Sequence, residues 1–124
     1  MNITKSEAIV MLAMHIGNAD GDFSIEEIDD AITKTPALKE AMREAESTDW
    51  LTKYRMKELN ADTALKALEH LSSDDRTDAM AICWGIVLAD GNVSDAERKQ
   101  MEKWTAALGL KIDDVKEKYK QLSS

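Results

Sequence analysis

The sequence predicts an all-α fold, a single compact bundle of about seven helices built on a two-unit internal repeat. Three observations carry this. Breakers are scarce, with 5 Gly and 1 Pro in 124 residues, while Ala, Leu, Met, Glu and Lys, all good helix formers, are abundant. The capping-box pattern of Ser or Thr followed three residues later by Glu occurs at Thr4…Glu7, Ser24…Glu27 and Ser94…Glu97. Two stretches, Ala8–Met14 and Ala79–Leu88, are apolar nearly all round, as expected of helices with no solvent face. The length suits one domain over residues 1–124 with one sizeable core.

The elements follow in order. The three capping boxes predict helices beginning near residues 5, 25 and 95. Gly21 and Gly91 stand where a preceding helix would stop. Thr35-Pro36 opens another helix, with Pro in its first position. Ser47 or Thr48 can cap Asp49–Leu59, Asn60 can cap Ala61–Leu71, and Ser72 or Ser73 can cap the run toward Leu88. In Lys111–Leu122, the residues Ile112, Val115, Tyr119 and Leu122 form one apolar stripe. The two apolar helices are expected to make a central pair wrapped by amphipathic ones. The charge-rich middle, Lys39 to Asp78, reads as solvated helix surface. His15 reads as a core histidine, Cys83 as a small buried hydrophobe, and Met11, Met14, Met42, Met56, Met80 and Met101 as core filling. Trp50 and Trp104 are expected to be wholly or partly buried.

Composition narrows the function. Acids outnumber bases 24 to 16, for a net charge of −8. That balance disfavours nucleic acid and anionic membrane surfaces as partners, and suits a cation or a basic partner. One cysteine excludes an internal disulfide and fits a reducing cytoplasm. The N-terminus lacks signal-peptide features, and the apolar runs fall short of the ~20 residues needed to cross a bilayer. A soluble, cytoplasmic protein without direct membrane insertion is expected. No phosphate-cradling Gly-rich loop, HExxH, GxSxG or Cys/His zinc spacing is present. An Asp20/Asp90 carboxylate pair lacks a visible nucleophile or base, so the protein is expected not to be an enzyme.

The repeat is the most informative feature. Residues 16–27 return as residues 86–97, offset by 70. Each copy reads apolar run, Ala-Asp-Gly, a polar residue, an apolar residue, Ser, then Glu three residues later. Thr35, Ala37 and Leu38 match Thr105, Ala107 and Leu108 in the same register. Capped turns explain the Gly, Ser and Glu positions. They do not explain Asp20 and Asp90, which fall at the carboxyl ends of helices, where the macrodipole disfavours an anion by about 0.3–1 kcal/mol. Nor do they explain the second oxygen side chain two residues on, Asp22 and Asn92. Asp20, Asp22, Glu27, Asp90, Asn92 and Glu97 are therefore the candidate metal ligands, an all-oxygen set suited to a hard cation such as Ca²⁺. Spacing alone leaves a bound cation and a plain capped turn both open. An EF-hand is disfavoured. Asn18, Asp20 and Asp22 fall at its first, third and fifth places, but Phe23 occupies the sixth, where the turn needs Gly, and the second copy has Leu88, Val93 and Lys99 at the first, sixth and last places.

The doublet Ala19-Asp20-Gly21…Ser24…Glu27 and Ala89-Asp90-Gly91…Ser94…Glu97, each copy after an apolar helix, resembles the TerB-like tellurite-resistance family. It is also similar to the N-terminal domain of the membrane-anchored DnaJ-like cochaperone. The resemblance implies an all-α domain of about seven helices, acidic residues that bind a divalent metal with calcium favoured, and a bacterial or phage-related origin. It further implies a role in tellurite or stress resistance through protein partners, which can include a membrane-associated resistance complex. The alternative is a metal-free structural adaptor whose Asp-Gly loops are only capped turns. Asn92, where an acid would strengthen the site, and Ile25 and Ala96 depart from the family pattern and weaken the second loop most.

Overall fold

A computed structural model describes residues 3–17, 33, 36–88 and 95–123. Among these residues the protein is all-α, with seven helices and no strand: α1 (Lys5–Gly17), α2 (Pro36–Ser47), α3 (Trp50–Arg55), α4 (Ala61–Glu69), α5 (Ser73–Leu88), α6 (Asp95–Ala107) and α7 (Ile112–Ser123). The helix expected near residue 25, with Gly21, Gly91, Ser24 and Ser94, lies outside the described residues.

Local chemistry sets the helix starts. At α1 the Glu7 N–H donates to Thr4 Oγ1 at 3.1 Å and the Thr4 N–H donates to Glu7 Oε1 at 2.9 Å, a reciprocal capping box. Pro36 opens α2, where its missing N–H costs nothing. Asn60 caps α4 by accepting from the Thr63 N–H at 3.0 Å, while Thr63 Oγ1 accepts from the Asn60 N–H at 2.9 Å. Ser72 Oγ accepts from the Asp75 N–H at 3.2 Å ahead of α5.

Apolar patterning sets the arrangement. From Ala8 to Ala13 every residue of α1 is buried, as is every residue of α5 from Ala79 to Val87. Helices that apolar must be enclosed, and α1 and α5 pack on each other while α2, α4, α6 and α7 cover them. Leu12, Met80 and Val87 are fully enclosed, each worth about 1.5–3 kcal/mol in burial. The pair runs in parallel. At one end Lys5 Nζ reaches Asp75 and Asp78 at 3.0 and 3.7 Å. Toward the other, Ile86 lines an apolar cavity of about 260 Å³ with Val10, Ala13 and Met14. The carboxyl ends of α1 and α5 therefore lie at the same end of the bundle. Leu38 and Leu108, equivalent in the sequence repeat, are both buried, and Val115 anchors the α7 stripe.

Helices α3 and α6 end in the same hydrogen-bonded motif. After α6, the Leu110 N–H donates to Thr105 O and the Gly109 N–H to Ala106 O, with Gly109 left-handed at φ 71°. Arg76 of α5 adds a donor to the Leu108 carbonyl at 2.6 Å. After α3, the Glu58 N–H donates to Lys53 O and the Lys57 N–H to Tyr54 O, and the left-handed residue is Lys57, at φ 62°.

Five expectations are corrected. The helix predicted over Asp49–Leu59 spans only Trp50–Arg55, because Lys57 turns the chain left-handed, and α4 stops at Glu69 rather than Leu71. Asp49 precedes α3 without a side-chain cap bond, and the Thr48 hydroxyl turns to Glu7 instead. Met56, expected in the core, is 64% exposed, since it lies in that turn. His15 is exposed rather than buried. It faces outward from α1, its ring centroid 5.6 Å from that of Trp104.

Candidate functional site

The predicted ligands Asp20, Asp22, Glu27, Asp90 and Asn92 lie outside the described residues. What the fold supplies is their framework. Asp20 follows the last residue of α1 by three positions, and Asp90 follows the last residue of α5 by two. Those two helices end side by side. Glu97, the sixth predicted ligand, sits in the first turn of α6 and is only 4% exposed. A carboxylate there is favoured by the amino-terminal dipole of its own helix. An all-oxygen set fits a hard divalent cation, with Asp and Glu as charged donors and the Asn92 amide as a neutral one. Among the described residues alone, no group of three or more His, Cys, Asp and Glu side chains is placed to hold a metal ion.

A second polar constellation, absent from the sequence reading, is centred on Glu7. Its carboxylate is fully enclosed. Lys53 Nζ donates to both oxygens at 2.9 and 2.8 Å, and Thr48 Oγ1 donates to Oε2 at 2.9 Å, in addition to the Thr4 N–H. Burial alone would raise its pKa. The Lys53 contact, the Thr4 and Thr48 hydrogen bonds and the lysine charge outweigh burial and hold the carboxyl below its ordinary range. Glu7 thus stays ionised at neutral pH, but no substrate can reach it. It ties α3 back onto α1. Nearby, Ser6 donates to Glu44, fixing α2 to the same region. The charge-rich middle is therefore not only solvated surface, because Lys53 is drawn inward. No local signal announces that pairing, which joins residues 46 apart in sequence.

An open cleft of about 760 Å³ forms where α1, the α3–α4 turn and α6 meet. Its floor is Met11, Leu59 and Trp104, and its rim carries Arg55, Lys57 and Lys103. A basic rim is unexpected in a chain of charge −8. The sequence signal for it was Tyr54-Arg55-Met56-Lys57, two bases interleaved with large apolar residues. Cys83 offers no chemistry. It is wholly buried in α5, and burial pushes its thiol pKa up to about 12, so it is protonated at any physiological pH.

The architecture defines a class. Among the described residues it is an all-α bundle around two parallel apolar helices, each followed in sequence by an Ala-Asp-Gly motif. The family model of tellurite resistance protein TerB matches residues 6–119, from the first turn of α1 into α7, and the chain belongs to the TerB family. Comparison with curated proteins and with solved structures found no match. Among the described residues no helix is long and apolar enough to cross a membrane.

Proposed function

We propose that this domain is a non-enzymatic divalent-cation-binding module of tellurite or stress resistance, with calcium the favoured ion, acting in the cytoplasm through protein partners. The observation that carries the reading is the parallel course of α1 and α5, because the helix ends that precede the two acidic motifs lie at one end of the bundle. Family membership supports the resistance role. Asp20, Asp22 and Glu27 of the first loop and Asp90, Asn92 and Glu97 of the second are the proposed ligands. Their mutual repulsion in the absence of an ion is what a bound cation relieves.

The test is a melt after dialysis against chelator, with and without millimolar Ca²⁺ at fixed ionic strength. At a hundred times its dissociation constant, an ion that binds only the native state adds about 2.7 kcal/mol. For a domain of this size that is a rise of roughly 10 °C. Magnesium should do less, because it sheds water reluctantly and demands octahedral geometry. Asp20→Asn should weaken the calcium effect without lowering stability in chelator. Ser24→Ala should cost about 1 kcal/mol with or without metal, as loss of a cap does. A melting temperature indifferent to every divalent ion would return both loops to capped turns in a metal-free adaptor.

A further inference from the structure

We infer that the cleft between α1, the α3–α4 turn and α6 is a docking site for an acidic peptide segment of a partner protein, anchored by a large apolar side chain. The inference rests on the protein-interaction half of the proposed function and names the surface and the chemistry of its partner.

Three observations converge on the cleft. The first is charge. Among the described residues Arg55, Lys57 and Lys103 make no ion pair, and the one carboxylate of those residues that lines the cleft is Asp62. Over most of its surface a chain of charge −8 repels acidic partners, so a local surplus of cations selects where such a partner lands. The second is apolar exposure. The exposed large hydrophobic residues among those described are Leu51, Tyr54 and Met56, all in or just after α3; Tyr54 lines the cleft, above a floor of buried Met11, Leu59 and Trp104. A basic rim around an apolar floor matches an acidic segment with one bulky anchor. The third is backbone conformation. The position that closes α3 is left-handed, and the equivalent position after α6 is Gly109, which adopts it freely. Holding a lysine there costs conformational energy, and that lysine stands on the rim of the cleft.

The experiment titrates the full chain into a fluorescein-labelled peptide of Glu-Glu-Leu-Phe repeats and follows anisotropy, with a Lys-for-Glu peptide as control. Amide shifts are recorded in parallel. The Glu peptide should bind, more weakly as salt rises, and shift amides in residues 54–62 and 100–104. Arg55→Glu together with Lys103→Glu should weaken binding about tenfold or more while leaving the melting temperature nearly unchanged, since both side chains lie at the cleft rim. Lys57→Gly should weaken binding yet raise the melting temperature, a combination that a merely structural lysine would not give. The inference is overturned if the Glu peptide does not bind, if the Lys peptide binds equally, or if the reversals leave affinity intact. It is also overturned if citrate at matched ionic strength displaces the peptide completely, which would assign the cleft to small anions. Self-association abolished by the same reversals would assign it to a second copy of this chain. Run with chelator and again with calcium, the titration reads the cleft independently of the loops, so failure of the cation reading leaves this result interpretable.

Discussion

Helices α1 and α5 are matched in apolarity and run side by side, but their starts are anchored in opposite ways. At α1 one carboxylate, Glu7, is fully enclosed and receives donors from Thr4, Thr48 and Lys53. At α5 the carboxylates Asp74, Asp75 and Asp78 meet Lys5 and Lys118 at 3.0–3.7 Å near solvent. Both arrangements put negative charge at a helix amino terminus, where it is favoured. The difference is in what happens when a partner is removed. Water can replace a lysine at Asp74 and Asp75, whereas none is at hand for Glu7. The one ion pair at α1 and the four at α5 therefore stand for very different dependence on each member.

Lys53→Met should be the most damaging change, about 3–5 kcal/mol in a denaturant titration, because it leaves a buried charge without its counter-ion. Adding Glu7→Leu to that variant should recover much of the loss. A double variant no more stable than Lys53→Met would mean that the lysine stem, not the charge pair, holds α3. Glu7→Gln alone should cost less, about 1–3 kcal/mol, since it keeps the shape and Lys53 retains some exposure to water.

The pH dependence gives a third test. The folded pKa of Glu7 lies below its ordinary value of 4.5. Its contribution is thus fully present above that value and lost as pH falls through the lower, folded one. Acid unfolding of Glu7→Gln should be correspondingly less steep, and identical acid limbs would remove Glu7 from the account.

Asn60→Ala should cost about 1 kcal/mol through loss of the α4 cap. Lys118→Ala should have the smallest effect, a slight fall in melting temperature that disappears in high salt. Asp74 and Asp78 raise the pKa of Lys118, and Asp74, its first partner, lies in open water. A large, salt-independent loss there would show that the α5 start is as closed as that of α1.

The features legible in the sequence were those with local causes. Thr4 with Glu7, Pro36, Asn60 and Ser72 each act within one turn, and the helix starts they predict are the ones observed. The unbroken apolarity of Ala8–Met14 and Ala79–Leu88 suffices to place those helices at the centre. What escaped was long-range or left-handed. Nothing near Lys53 shows that it serves a carboxylate 46 residues away, and nothing in Met56-Lys57 announces a turn that usually calls for glycine. His15 sits in an apolar run, yet one outward-facing position per turn is enough to expose it. Of the candidate metal ligands, Glu97 is the one the described residues place, buried in the first turn of α6. The repeat is a pattern of residue types, whereas a coordination shell is a matter of ångströms.

The lone thiol of Cys83 has a use that its inertness creates. Enclosed in α5 and protonated, it cannot be alkylated while the bundle is closed. A thiol-specific reagent can therefore modify this chain only during openings that expose the buried part of α5. The rate of labelling then counts those openings in the unmodified protein, with no engineered probe. Any ligand of the loops or the cleft that stabilises the closed bundle should lengthen the interval between them.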